Sequence, residues 1–360
     1  MTDASLASSR LDTIRAAAEA AGADGAIVSR LNDIRWAIGF TGSNGLLVVT
    51  PLGAYFVTDG RYDEQARREV TGAEVHIPGY DLWGHIAERG WLEAQRIAFQ
   101  SDHLTVAQHV RLGELFAGVE WVGAKELLVE AVAAKTTAEI DRVRRAQAIT
   151  CSVLESIMPL LQNNISETKI AYELTKRHLQ AGAERMAFDP IVGSGPNGAL
   201  PHARAGDREL QSGDLVVIDV GGVFDGYASD LTRTIAIGEP GDAARDAYAA
   251  VLRAQEAAIT GARAGVTGTH LDTLARDVLR EHDLATYFSH SLGHGVGLDV
   301  HEWPRLSQAV EHVLPEGATV TIEPGVYLPG EFGIRIEDII AVKEGGCENL
   351  TPLSKDLLVV

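Results

Sequence analysis

The sequence predicts two domains, an α/β layer followed by a larger α+β unit. Three observations carry this expectation. The chain has 360 residues, and domains of about 100–200 residues make two the natural number. Up to about residue 125, helix and strand patterns alternate, as in an α/β layer. Beyond that, two long helical patterns are followed mainly by strands. The boundary is placed at 128/129, giving domains 1–128 and 129–360.

In the first domain, 11–21 reads as an amphipathic helix and 25–28 as a short strand. Residues 45–50 and 54–58 are strands separated by the turn Pro51-Leu52-Gly53. Residues 63–70 read as helix and 74–76 as extended chain. In the second domain, Thr136 with Glu139 three residues on is a capping box. The helix it opens carries Ile140, Val143, Ala146, Ile149, Val153 and Ile157 as one apolar stripe. Ser166 opens another, with Ile170, Leu174 and Leu179 as its stripe. Strands are expected over 215–220, 228–237, 318–323 and 333–342, with helices 242–264 and 269–283 between them. There is no low-complexity segment, repeat array or long linker.

Composition narrows the function classes. Hydrophobic residues make up 46% of the chain, enough for conventional cores. No apolar run approaches the ~18–20 residues of a membrane span, and the polar segment 1–10 does not read as a signal peptide. The net charge is −19, which argues against nucleic acid or an anionic membrane as partner. Cys151 and Cys347 are far apart and lack CxxC spacing, so they read as reduced thiols of a cytoplasmic protein.

Five metal-ligand-type residues each sit in a distinctive motif. Asp219 lies in Val216-Val217-Ile218-Asp219-Val220-Gly221-Gly222, and Asp230 in Ala228-Ser229-Asp230-Leu231-Thr232-Arg233. His294 lies in Leu292-Gly293-His294-Gly295-Val296-Gly297. Glu323 lies in Ile322-Glu323-Pro324-Gly325, and Glu337 in Arg335-Ile336-Glu337-Asp338. Four carboxylates and an imidazole gather in one place only against a counter-charge. Two divalent cations per subunit would supply it, the arrangement of a two-metal hydrolase.

Asp225-Gly226 is a strong hairpin turn. It pairs 224 with 227 and, further out, 219 with 232. Asp219 and Asp230 then become diagonal neighbours on one face, roughly 7–8 Å apart at the backbone. Glu323 and Glu337 read as a second hairpin with Pro329-Gly330 near its turn. Arg335 shares a face with Glu337 and is read, with Thr232, as orienting the ligands. His290, His294 and His301 fall within twelve residues around a glycine cluster, and of these His294 is the expected ligand. A hard, oxygen-rich set with one imidazole favours Mn²⁺, with Co²⁺, Fe²⁺ or Zn²⁺ as alternatives. Glu323 is the candidate to accept and return the proton of an activated water.

These motifs resemble the pita-bread metallopeptidases, and within them the Xaa-Pro branch of prolidases and aminopeptidases P. Phe40-Thr41-Gly42-Ser43, Thr58-Asp59-Gly60-Arg61-Tyr62, Phe188-Asp189-Pro190-Ile191-Val192 and Pro201-His202-Ala203 extend the resemblance along the whole chain. The resemblance implies a creatinase-like N-terminal α/β domain and a pita-bread C-terminal domain of two pseudo-twofold halves around the metals. It also implies a homodimer acting on short proline-containing peptides. By matching position, His202 contacts substrate and steadies the transition state, His301 lies near the scissile carbonyl, and His290 lines the pocket. Arg305, in His301-Glu302-Trp303-Pro304-Arg305, matches an arginine of the short prolidases that helps hold substrate, which makes it a candidate to read a dipeptide carboxylate. The additional segment of the longer prolidases is missing before Glu323, so dipeptidase and aminopeptidase P both stay open. A methionine aminopeptidase shares the ligand types, but Arg335-Ile336-Glu337-Asp338 and the N-terminal domain favour the Xaa-Pro branch. Intact ligand positions argue against a metal-free creatinase-type hydrolase and against an inactive peptide-binding module.

Overall fold

In the computed structural model the chain divides into two compact units, Met1–Val132 and Ala133–Val360. The structure describes residues 3–93 and 95–360; Met1 and Thr2, the start of the polar segment 1–10, lie outside the described residues.

The first unit is built on a six-stranded mixed sheet. Its order is Glu74–His76, Gly53–Val57, Leu46–Thr50, Gly25–Val28, Arg96–Gln100 and Glu120–Ala124. The hairpin through Pro51-Leu52-Gly53 pairs Leu46 with Val57 and Thr50 with Gly53. The first helix, Asp3–Ala20, begins well before the expected 11 because Ala7, Leu11, Ile14 and Ala18 form one buried stripe. Helices Leu31–Ile38, Leu82–Arg89 and Val106–Leu115 and the last two strands were not anticipated.

The second unit has two comparable halves, each a helix pair against a hairpin. In the first half, Thr136 caps Thr137–Ile157 through a reciprocal capping box with Glu139, and Ser166 caps Glu167–Gln180. Ile170 and Leu174 are buried, but Leu179 is 51% exposed and His178 takes the inward place instead. That correction follows from geometry: 178 lies four residues beyond 174 and continues the row. These helices cover Leu215–Val220, Leu231–Ala236 and Ile191–Ser194, an antiparallel three-stranded sheet. In the second half, Asp242–Gly261 and Gly268–Arg280 pack on the strands around Thr319–Ile322 and Asp338–Lys343.

The expected long strands are broken where acidic residues sit. The first hairpin keeps its predicted register, with Phe224 opposite Tyr227 and Asp219 opposite Thr232. Instead of one strand over 228–237, Tyr227–Ala228 and Leu231–Ala236 are separated at Ser229 and Asp230. The amide of Gln147 accepts from Asp230 N and donates to its carbonyl, replacing the ladder there. In the second hairpin Gly325 opposes Arg335 and Leu328 opposes Phe332 across the 329–331 turn. Further out, Ile322 opposes Asp338 in the same register, so 323 faces 337 in the gap between two ladders. Pro324 has no N–H to offer there, and Glu337 N donates to Thr232 O of the first hairpin instead. The two hairpins are thus joined at their breaks, and both breaks free acidic side chains from regular pairing. No helix among the described residues is long and apolar enough to cross a membrane.

Candidate metal centre

The breaks in the two hairpins bring their acidic residues together. Asp230, His294 and Glu337 each offer a ligand atom, all within 4.8 Å of one another. His294 Nε2 stands 3.2 Å from Glu323 Oε1 and 3.6 Å from Asp230 Oδ2. Its Nδ1 faces the Gly295 carbonyl at 3.1 Å, which assigns a proton to Nδ1 and leaves Nε2 aimed into the cluster. His294 sits on the short strand Gly293–Gly295, squeezed between Thr319–Ile322 and Glu302–Leu306. A side chain at Gly293 would strike the Thr321 carbonyl, and one at Gly295 the Trp303 carbonyl. The glycines let the histidine strand lie that deep. Thr321 Oγ1 accepts from His294 N and donates to Glu323 Oε1, tying the backbone of His294 to the Glu323 carboxylate.

Asp219 joins through Arg335. Arg335 Nη2 donates to Asp219 Oδ2 at 2.6 Å, and its Nε donates to Thr232 Oγ1 at 3.1 Å. The Thr232 hydroxyl in turn donates to Glu337 Oε2 at 2.7 Å. Arg335 therefore orients Asp219 directly and reaches Glu337 through Thr232. Its Nη1 donates to Tyr327 Oη at 2.6 Å, and that hydroxyl is 2.9 Å from His290 Nε2. His290 Nδ1 faces the Ser291 carbonyl, so Nε2 accepts from Tyr327.

The electrostatics are those of a crowded anionic cavity. Burial, and then the charges of Glu337, Asp219 and Glu323, drive the Asp230 carboxyl well above its ordinary range. Burial, Glu323 and Asp219 do the same to Glu337. Burial also raises Asp219, against the pull of Arg335. Glu323 resists: burial acts upward, but the hydrogen bond and charge of His294 hold it down to about 2. His294 is raised in exchange, the Glu323 contacts outweighing burial. Three carboxyls pushed towards protonation mark a missing counter-charge. Asp219 Oδ1 makes the same point, being buried without a hydrogen-bond partner. An orphaned carboxylate oxygen beside hard donors and one imidazole fits divalent cations.

Around the cluster lie the other histidines. His301 is exposed, with its ring edge-on to His294 at 4.4 Å between centroids. Although its outer edge is open to solvent, partial desolvation of the ring and then the charge of His294 push it towards neutral. His290 is also pushed down, by burial first, and His202 contributes to the lowering of both. His202 itself is exposed on the turn after residues 195–199. Arg305 is exposed and directly opposite His294 in the strand pairing, so it stands on the same sheet face.

Four residues that the sequence reading passed over support the site. Tyr327 links Arg335 to His290; as a tyrosine in an apolar strand it reads as core. Gln147 holds the backbone of Asp230 from 83 positions away. Asp272 accepts from Leu292 N, and its neighbour Arg276 donates to the carbonyls of Phe288 and His290. Asp272 and Arg276 form a helical i,i+4 ion pair, the one signal that sequence spacing carried.

Comparison with known proteins places these features in context. Residues 141–344 match Metallopeptidase family M24, and residues 10–132 match the Creatinase/Prolidase N-terminal domain. An Xaa-Pro dipeptidase of Pyrococcus furiosus is 43% identical over 224 residues, 62% of this chain and 64% of that one. The structure of an Xaa-Pro dipeptidase from Bacillus anthracis superposes with a TM-score of 0.94 at 35% identity, covering 98% of this chain and 100% of that one. An X-Pro aminopeptidase structure from Thermotoga maritima gives a TM-score of 0.88 at 34% identity, covering 96% and 100%.

Proposed function

Because the chain belongs to metallopeptidase family M24, we propose that it hydrolyses the Xaa-Pro bond of short peptides as a prolidase-like dipeptidase. Its two units are a creatinase-like α/β domain and a pita-bread catalytic domain. The observation that carries the proposal is the cluster of buried Asp219, Asp230 and Glu337 with partly buried His294 and Glu323, ringed by three histidines. The five cluster residues would hold two divalent cations. Mn²⁺ is the first choice for this hard donor set, ahead of Co²⁺, Fe²⁺ or Zn²⁺. Bound there, the cations would offset the anionic charge, polarise the scissile carbonyl and activate a water.

The protein's own groups supply the rest. Glu323, held ionised beside His294, is the carboxylate suited to take a proton from that water and return it to the leaving nitrogen. Arg335, Tyr327 and Thr232 fix Asp219 and Glu337 through hydrogen bonds. His301 is pushed towards the neutral form, able to accept or donate at the substrate amide, while His290, with both ring nitrogens engaged by Ser291 and Tyr327, lines the pocket. Proline demands such a dedicated site, because its nitrogen carries no N–H for a general peptidase to grip. His202→Ala is expected to leave metal content intact and to lower kcat about 10²-fold, the scale of one acid/base or electrostatic contact. Steady-state kinetics beside metal analysis checks this, and unchanged kinetics would assign His202 to structure.

Arg305 supports the dipeptidase reading. Its exposed guanidinium stands on the face of His294, where a bidentate cation can read a C-terminal carboxylate. Arg305→Ala is expected to reduce kcat/KM on an Xaa-Pro dipeptide about 10- to 100-fold, the worth of a charged hydrogen bond, while sparing an Xaa-Pro-Xaa tripeptide. Equal losses on both would favour the second reading, an aminopeptidase P, to which the resemblance of the Thermotoga maritima aminopeptidase points. We assign the protein to the cytoplasm, in keeping with two free cysteines, and as a homodimer, which its mass in solution decides.

A further inference from the structure

We propose that Glu167 is a positioning residue that sets the loop carrying His202, an inference that rests on the substrate-contacting role given to His202 above. Glu167 is fully buried at the start of its helix. Its Oε1 accepts from Ser194 N at 2.8 Å, Ser194 Oγ at 2.7 Å and Asn197 Nδ2 at 3.2 Å. Its Oε2 accepts from Asn197 Nδ2 at 3.1 Å and Gly206 N at 3.1 Å. One carboxylate therefore grips both ends of the loop, at 194 and 197 on the way out and at 206 on the way back. The Ser194 hydroxyl also accepts from Arg208 Nη1, whose guanidinium is paired with Asp214.

Between those ends, Ala203 N donates to Leu200 O, closing a turn with Pro201 and His202 at its centre. Proline at the first central position presets that turn. The turn's only hold on the metal cluster among the described hydrogen bonds is Arg335 Nη1 to Pro201 O, at 3.2 Å. Gly198 lies so close to Gly333 that a side chain at Gly333 would strike the Gly198 carbonyl. His202 itself is exposed, so its placement comes from the loop, clamped by Glu167 at the base and Arg335 at the tip. A buried carboxylate with its lone pairs taken holds that base rigidly, and an amide in its place would set N–H groups against N–H groups.

The test is Glu167→Gln. Gln keeps the size and an oxygen for Ser194, but its amino group opposes Gly206 N and the Asn197 amide. Backbone bonds from Glu167 N to Arg208 O and from Thr168 N to Gly206 O remain, so the helix stays docked. The expected result is faster amide exchange at Ser194 and Gly206, metal content unchanged, and kcat lowered about 10- to 100-fold with KM little altered. In a His202→Ala background the same change should cost almost nothing further. Equal losses in both backgrounds, or unchanged exchange at Ser194 and Gly206, would overturn the inference. Should Glu167→Gln fold poorly, Asn197→Ala removes part of the clamp and is expected to shift the same readouts less. If the wild-type protein leaves Xaa-Pro peptides uncut, the functional reading fails while amide exchange still judges the clamp.

Discussion

Asp230→Asn is expected to abolish turnover while leaving the protein folded, and Glu337→Gln to do the same. Both changes keep shape and volume but remove one negative charge from the cluster. Changes to groups that merely support metal ligands typically cost 10–100-fold, so losing a ligand itself is expected to cost more than about 10³-fold. The sign of the stability effect separates this from ordinary damage. Burial and neighbouring carboxylates already push both groups up, so in metal-free protein their neutral replacements relieve repulsion. The thermal midpoint of the metal-free variants should match or exceed that of the metal-free wild type. With metal added, the wild type should gain stability by linkage and the variants should gain less. Metal analysis, thermal melts with and without Mn²⁺ and peptide turnover together check this. Normal metal content with normal activity would remove both residues from the ligand set.

Arg335→Met is expected to cost about 3–5 kcal/mol of stability, the usual result of breaking a buried ion pair from one side, and to lose activity with it. Every nitrogen of this guanidinium is engaged: Nη2 with Asp219, Nη1 with Tyr327 and Pro201, Nε with Thr232. Methionine fills the volume but strands Asp219, whose other oxygen already lacks a partner. Lysine restores a charge without the planar fork, so Arg335→Lys should recover part of the stability and little of the rate. Denaturant melts of the metal-free proteins measure the first effect. A change within about 0.5 kcal/mol, the range of ordinary surface substitutions, would contradict the role drawn for Arg335.

Sequence reading reached the first hairpin through one turn. Asp225-Gly226 predicts the register, and Asp219 does oppose Thr232. It did not reach the break at Asp230, because Gln147, which takes over that backbone, is remote in the chain. The second break carried a local sign, since Pro324 cannot donate to a ladder, yet strand-like patterning on both sides masked it. Leu179 illustrates another limit: an apolar residue near the end of a helical stripe lies outside while His178 turns inward, bonded to Thr150 and Leu174. In the first unit, Thr105 and Gln108 form a capping box of the kind read at Thr136, and the helix Val106–Leu115 follows from it. Motif chemistry made the five candidate ligands visible. Tyr327 was not visible, because a hydroxyl that bridges Arg335 and His290 looks, in sequence, like any aromatic in a buried strand.

On the proposed reading, this cluster works only when filled by divalent cations, on an Xaa-Pro bond. The direct measurement strips the protein of metal, then titrates Mn²⁺ while following hydrolysis of an Xaa-Pro dipeptide and an Xaa-Pro-Xaa tripeptide. The stripped protein is expected to show no turnover, activity to saturate at two equivalents per chain, and the dipeptide to be preferred. Full turnover without metal, or none at two equivalents on either peptide, would contradict that reading.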